Sequence, residues 1–170
     1  IDATEDTERA RLYAQLLYEK RQRKGVTLFD AKKLIRDRNY FGATMVEAGD
    51  ADAFVSGLTR KYSEVVKPIF EVIGTQKGVR KIAGMYIMLT QKGPIFFTDT
   101  TINENPSVDD IVDMARQTAR IIRRINLKPK IALLSYSNFG SSKGEEPRKM
   151  SAALAKLKEL EPELIVDGEM

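Results

Sequence analysis

Four cations stand out in two short stretches of this chain: Arg21 at the head of RQRKG, and Arg60, Lys61 and Lys67 within GLTRKYSEVVKP. Their chemistry is anion binding, and the residues between them suggest how a site would be built. Ala53-Phe54-Val55 reads as a short buried strand that stops at Ser56-Gly57. A polar, basic loop follows from Leu58 to Tyr62, and a helix opens near Ser63. A strand, a small residue, a loop and a helix N-terminus together turn backbone N–H groups toward a phosphate. Arg21, Ser56, Arg60, Lys61 and Lys67 are therefore expected to converge on one anion site near the end of that strand.

A second candidate is the loop Ser137-Asn138-Phe139-Gly140-Ser141-Ser142-Lys143-Gly144, between an expected strand and an expected helix. Such a loop can form a nest of N–H donors, with Ser137, Gly140 and Ser141 as its contacts. It lacks the Walker A spacing. The basic run around Arg21 has a structural explanation too, since cations stabilise a helix C-terminus. Asp99, amid Thr98, Thr100 and Thr101, fits either a Mg²⁺ ligand or a hydrogen-bonded turn anchor, and the latter is the commoner role. Met85 and Met88 read as core.

The chain contains neither histidine nor cysteine. A Ser-His-Asp triad, an HExxH site, zinc ribbons, disulfides and thiolate chemistry are thus impossible within it. No metal-ligand cluster and no catalytic group is assigned. Of its 170 residues 42% are hydrophobic and 31% charged, the profile of a globular domain. No apolar run approaches the roughly 20 residues of a bilayer span, and no secretory leader is legible. A cytoplasmic location, with no membrane partner, is expected. The net charge of +4 is modest. Basic residues gather at 20–24 and 116–130, which solvated helix faces explain, and no nucleic-acid-binding module is recognisable. Phosphates and acyl-CoA are the partner class that fits.

The elements that would position these residues follow from periodicity and punctuation. Helices are expected over 5–24, with Leu12, Leu16 and Leu17 on one face and Tyr13 beside them, and from an N-cap at Thr27 with Asp30 completing a capping box. Others are expected over 40–48, 63–73, from Pro106-Ser107 to about 125, and over 147–160. Residues 82–90 and 94–101 read as an antiparallel hairpin through Gln91-Lys92-Gly93. Residues 130–135 and 164–166 read as strands. This is an α/β chain, with layered helices on a mixed sheet that includes the hairpin. A closing strand with no covering helix after it suggests a fragment of a longer polypeptide.

Five blocks, RQRKGVT, RNYFGA…ADAFVSG, AGMYIMLTQKGPIFFTDTTINENP, LSYSNFGSS and IVDGEM, occur in an order that resembles the phosphate acetyl/butyryltransferase family. That family exchanges an acyl group between CoA and phosphate. The resemblance implies a fold like isocitrate and isopropylmalate dehydrogenases, with two α/β domains around a cleft and a dimer formed largely by the second. It implies a division into 1–55, the end of the first domain, and 56–170, the second, with the parent continuing on both sides. GLTRKY and LSYSNFGS look like the C-terminal domain of bacterial hybrid malic enzymes, generally regarded as a regulatory domain sensing acetyl-CoA. NAD(P) and a divalent metal would then belong to the parent's malic enzyme domain, and none to this chain. Acetyl-CoA and a second copy of the chain are the implied partners.

Carried over position by position, Arg21 matches a family arginine near the phosphate or CoA cleft. The family's Ser-Thr pair falls on Lys61 and Tyr62, so that match fails. The family arginine before proline falls on Lys67, which keeps the charge but loses the bidentate fork. The family's catalytic Ser-Arg and nearby Asp would lie after DGE, beyond Met170.

Overall fold

The computed structural model describes residues 7–79 and 81–170. They form two compact units, Ile1–Lys77 and Gly78–Met170. The division falls later than the boundary expected after Val55. The reason is that the helix following the 56–61 loop packs on the preceding helices and belongs with them.

The first unit is helical. Helix α1 spans Thr7–Arg21 and runs into a 3-10 turn, Gln22–Lys24, closed by Gly25 in the left-handed conformation (φ 85°). Glycine is the residue that adopts this C-terminal cap without a Cβ penalty. Helix α2, Leu28–Leu34, starts with the expected capping box: the Thr27 side chain accepts from Asp30 N, and Asp30 accepts from Thr27 N. Helix α3, Arg38–Glu47, is capped by Asp37, which accepts from the N–H groups of Asn39 and Tyr40. Helix α4, Tyr62–Val72, carries Pro68 inside it. The core of the unit is Tyr13, Ala14 and Leu17 of α1 with Ala31, Ile35, Tyr40, Phe41, Ala43 and Val72.

This core corrects one reading of α1. Leu12 was expected on the buried face but is 64% exposed, while Leu17 is fully buried. The buried stripe runs through 13, 14 and 17, and the same helical spacing carries it on to Arg21. The expected strand at 53–55 is also absent. Those residues are irregular, and Val55 is 94% exposed. Three residues without a neighbouring strand cannot satisfy a ladder, and the segment is held by its side chains instead. The Phe54 ring lies so close over Gly42 of α3 that a Cβ there would clash with it.

The second unit is α/β. Strands β1, Met85–Thr90, and β2, Gly93–Thr98, form the expected antiparallel hairpin, with Met85 opposite Thr98 and Thr90 opposite Gly93. Helix α5, Val108–Arg124, opens on a Ser107–Asp110 capping box. Strand β3, Lys130–Leu133, precedes helix α6, Glu145–Leu160, and strand β4, Ile165–Gly168. Strand β4 pairs parallel to β3, with Ile131 opposite Val166. Ile111, Val112, Met114, Ala115 and Ala119 of α5 pack with Leu133, Ala153, Leu157, Leu164 and Val166 to form the core.

The expected mixed sheet is not found. Among the described residues the hairpin is one two-stranded sheet and β3–β4 another. The burial pattern gives the physical reason: Tyr86, Ile87, Met88 and Leu89 of β1 are all at least half exposed, so the hairpin does not lie in the core. Met88 is accordingly not the core residue it was read as.

Candidate anion-binding site

Position 21 of α1 is where the buried stripe meets the surface. The Arg21 side chain is a quarter exposed, and its Nε is buried with no hydrogen-bond partner, the one such atom among the described residues. Its Nη2 donates to Glu71 Oε1 of α4 at 3.3 Å. The contact is single and longer than the roughly 2.7–2.9 Å of a strong charge-assisted bond. The other Glu71 oxygen, Oε2, accepts from the Tyr40 hydroxyl of α3 at 2.5 Å. Burial and the neighbouring Glu71 carboxylate push the Tyr40 phenol well above its ordinary value, so it stays protonated and donating. Beside this group, the Lys20 ammonium donates to the last carbonyl of α4, Val72, at 2.7 Å and pairs with Glu47.

Lys67 lies one helical turn before Glu71, on the same face of α4. It is exposed and has no ion-pair partner among the described residues. Thus Arg21 and Lys67 both adjoin the Glu71 face. The remaining first-unit candidates lie around the N-termini of α3 and α4. Ser56 Oγ donates to Asn39 Oδ1 at 2.7 Å, and Asn39 Nδ2 donates to the Glu64 carbonyl. Arg38 reaches Thr59 Oγ1 at 2.8 Å. Arg60 pairs loosely with Asp37 at 3.7 Å and Glu64 at 3.8 Å. Lys61 is the N-cap of α4, exposed, with no side-chain cap bond. Of the four cations, Arg21 meets Glu71, and Arg60 meets Asp37 and Glu64. Arg60 is the most offset of them, and Lys61 and Lys67 remain uncompensated.

The second-unit loop is organised differently. Its donors already have an anion, the carboxylate of Glu169. Ser137 Oγ donates to Glu169 Oε1 at 2.5 Å and Gly140 N to the same oxygen at 2.8 Å. Ser151 Oγ approaches Oε2 at 3.4 Å. Ser142 N donates to Ser137 Oγ, and Asn138 N to Ser141 Oγ. Hydrogen bonds from Ser137 and then Gly140 hold the Glu169 carboxyl below its ordinary value, against the effect of burial. Glu169 is only 3% exposed, and with Ser137 it forms a closed polar core to the loop. Asp99 is a turn anchor. It accepts from the N–H groups of Gly84, Thr101, Ile102 and Asn103. Among the described residues no group of three or more carboxylates stands close enough to hold a metal ion.

The phosphate acetyl/butaryl transferase profile matches residues 1–170. The chain belongs to this family. It is 34% identical to a phosphate acetyltransferase of Clostridium acetobutylicum over 93% of this chain and 50% of that protein. It is also 35% identical to an NADP-dependent malic enzyme of Salmonella typhimurium, over 98% of this chain but 22% of the enzyme. Among solved structures, the EutD phosphotransacetylase from Staphylococcus aureus superposes with a TM-score of 0.80 at 31% identity, covering 99% of this chain and 52% of that one. The chain thus spans about half the length, or less, of these relatives. Its fold is that of a phosphotransacetylase-like domain.

Four residues that build these candidate sites carry no motif in the sequence that marks them: Tyr40, Glu71, Asn39 and Glu169. Glu71 carried a signal, since it falls one turn after Lys67. Tyr40 lies inside the RNYFGA block, and Glu169 inside IVDGEM. Nothing in local spacing connects Glu169 to Ser137, because that contact spans 32 residues.

Proposed function

We propose that this chain is an acyl-CoA-binding domain of the phosphotransacetylase type, and that it holds a phosphate group of the ligand with Arg21 and Lys67. One observation carries the reading: a guanidinium at the edge of the core, held by a single long contact to Glu71, which lies one helical turn from a lysine with no ion-pair partner among the described residues. Arginine binds phosphate through two parallel N–H bonds, and a lysine beside it adds charge without geometric demand. Arg60 and Lys61, at the N-terminal end of the same helix, add positive charge that raises the local concentration of an anion.

Within a malic enzyme parent the domain acts as a sensor of acetyl-CoA. Binding there shifts the population of a state whose malate-oxidising site differs in affinity or rate. Lys61 and Tyr62 support the sensor role, standing where the resemblance places a Ser-Thr pair. The exposed apolar side chains of β1 and β2 support self-association of the second unit. A second reading, part of a working acyltransferase, is favoured by the identity to phosphate acetyltransferases. The two readings separate in a paired experiment on the full-length parent. The sensor reading expects acetyl-CoA to bind and alter malate oxidation, with no acetyl phosphate formed from acetyl-CoA and phosphate. Formation of acetyl phosphate, with malate oxidation indifferent to acetyl-CoA, overturns it in favour of the transferase.

A further inference from the structure

Glu71 is the natural partner to close off Arg21. A carboxylate and a guanidinium on packed helices ordinarily meet fork to fork, with two parallel hydrogen bonds. Here they do not. Glu71 offers Arg21 only Oε1, at 3.3 Å, because Oε2 is taken by the Tyr40 hydroxyl at 2.5 Å. Tyr40 is 7% exposed and fixed in the core of the first unit, so the carboxylate is held in one orientation. The outcome is a guanidinium that is charge-compensated enough to sit at the core edge, yet keeps most of its donors unspent.

We propose that Tyr40 is a positioning residue that holds Glu71 back from Arg21, so that the Arg21 fork stays open to a ligand oxyanion. This rests on the reading of Arg21 as a phosphate-binding group. Without the Tyr40 hydroxyl, Glu71 is free to rotate, engage Arg21 through both oxygens and compete with the ligand. The hydroxyl therefore acts only through Glu71, and its effect vanishes when the Glu71 charge is removed. A general packing role for Tyr40 would not depend on that charge.

The test is a double-mutant cycle on the full 170-residue chain, with CoA as the probe and its dissociation constant as the readout. Tyr40→Phe keeps the ring and its packing. It is expected to weaken CoA binding about five- to tenfold, within the range for residues in one hydrogen-bonded network. Glu71→Gln, which removes the competing charge, is expected to bind CoA more tightly than the unsubstituted chain. In the Glu71→Gln background, Tyr40→Phe should change nothing. Equal CoA affinity of the unsubstituted chain and Tyr40→Phe overturns the inference alone. So does the same loss in both backgrounds, which would make Tyr40 merely structural. No CoA binding by the unsubstituted chain overturns the phosphate reading of Arg21, and this inference with it.

Discussion

Asp110 shows how much one side chain can carry in this molecule. It is the third residue of α5, accepts from Ser107 N and Oγ, and pairs with Lys81 at 2.7 Å. The Lys81 ammonium and then Ser107 lower its carboxyl from the usual 3.8 to about 2. A depressed folded value means that the ionised form is bound more tightly in the fold. Its stabilisation is complete above about pH 4 and is lost as the pH falls through about 2. Asp110→Ala should cost about 1–2 kcal/mol at neutral pH, the scale of a lost helix cap. It should also flatten the acid limb of a stability-against-pH curve between about pH 4 and 2. A variant whose acid limb matches that of the original would show that the pair with Lys81 adds nothing. At this scale the sequence was legible where a contact is local. The Thr27–Asp30 box and the Asp99 turn both span a few residues. Glu71–Tyr40 and Glu169–Ser137 are long-range pairs, and no spacing rule reaches them.

At the scale of elements, helices were easier to place than their faces. The extent of α1 was read closely, but its three leucines drew the buried stripe toward Leu12. The structure buries Leu17 and the adjoining Tyr13 as that face implies, but adds Ala14 and leaves Leu12 exposed. Leu17→Ala is expected to destabilise the first unit by about 2–5 kcal/mol, the cost of a cavity in a packed core. Leu12→Ala is expected to stay within about 0.5 kcal/mol, as exposed substitutions do. Urea denaturation of the two variants checks the assignment, and comparable losses would return Leu12 to the core. The strand at 53–55 failed for a related reason. Its apolar residues suggested a buried run, but one of them serves a local contact, Phe54 over Gly42, and the next, Val55, faces solvent.

At the scale of the whole molecule, alternation of strands and helices gave the α/β class, and the ordered motif blocks gave the family. The sheet arrangement was not recoverable. An apolar hairpin looks alike whether it extends a central sheet or stands apart with its side chains exposed, since both need β-branched and aromatic residues in period-two runs. No compositional break marks the division between compact units at Lys77–Gly78, because packing of α4 onto α1 and α3 decides it. That packing brings the Glu71 face to Arg21, and it makes the first unit, rather than the serine loop, the seat of the proposed anion site.

In the proposed complex Arg21 holds a phosphate group of CoA through its fork. Titration of CoA into the full chain and into its Arg21→Ala and Arg21→Lys variants reads that contact out. Arg21→Ala is expected to lose about tenfold or more in affinity, roughly 1.4 kcal/mol. Arg21→Lys should recover only part of that loss, because an ammonium keeps the charge but cannot form the two parallel bonds. The same dissociation constant for all three proteins would contradict it.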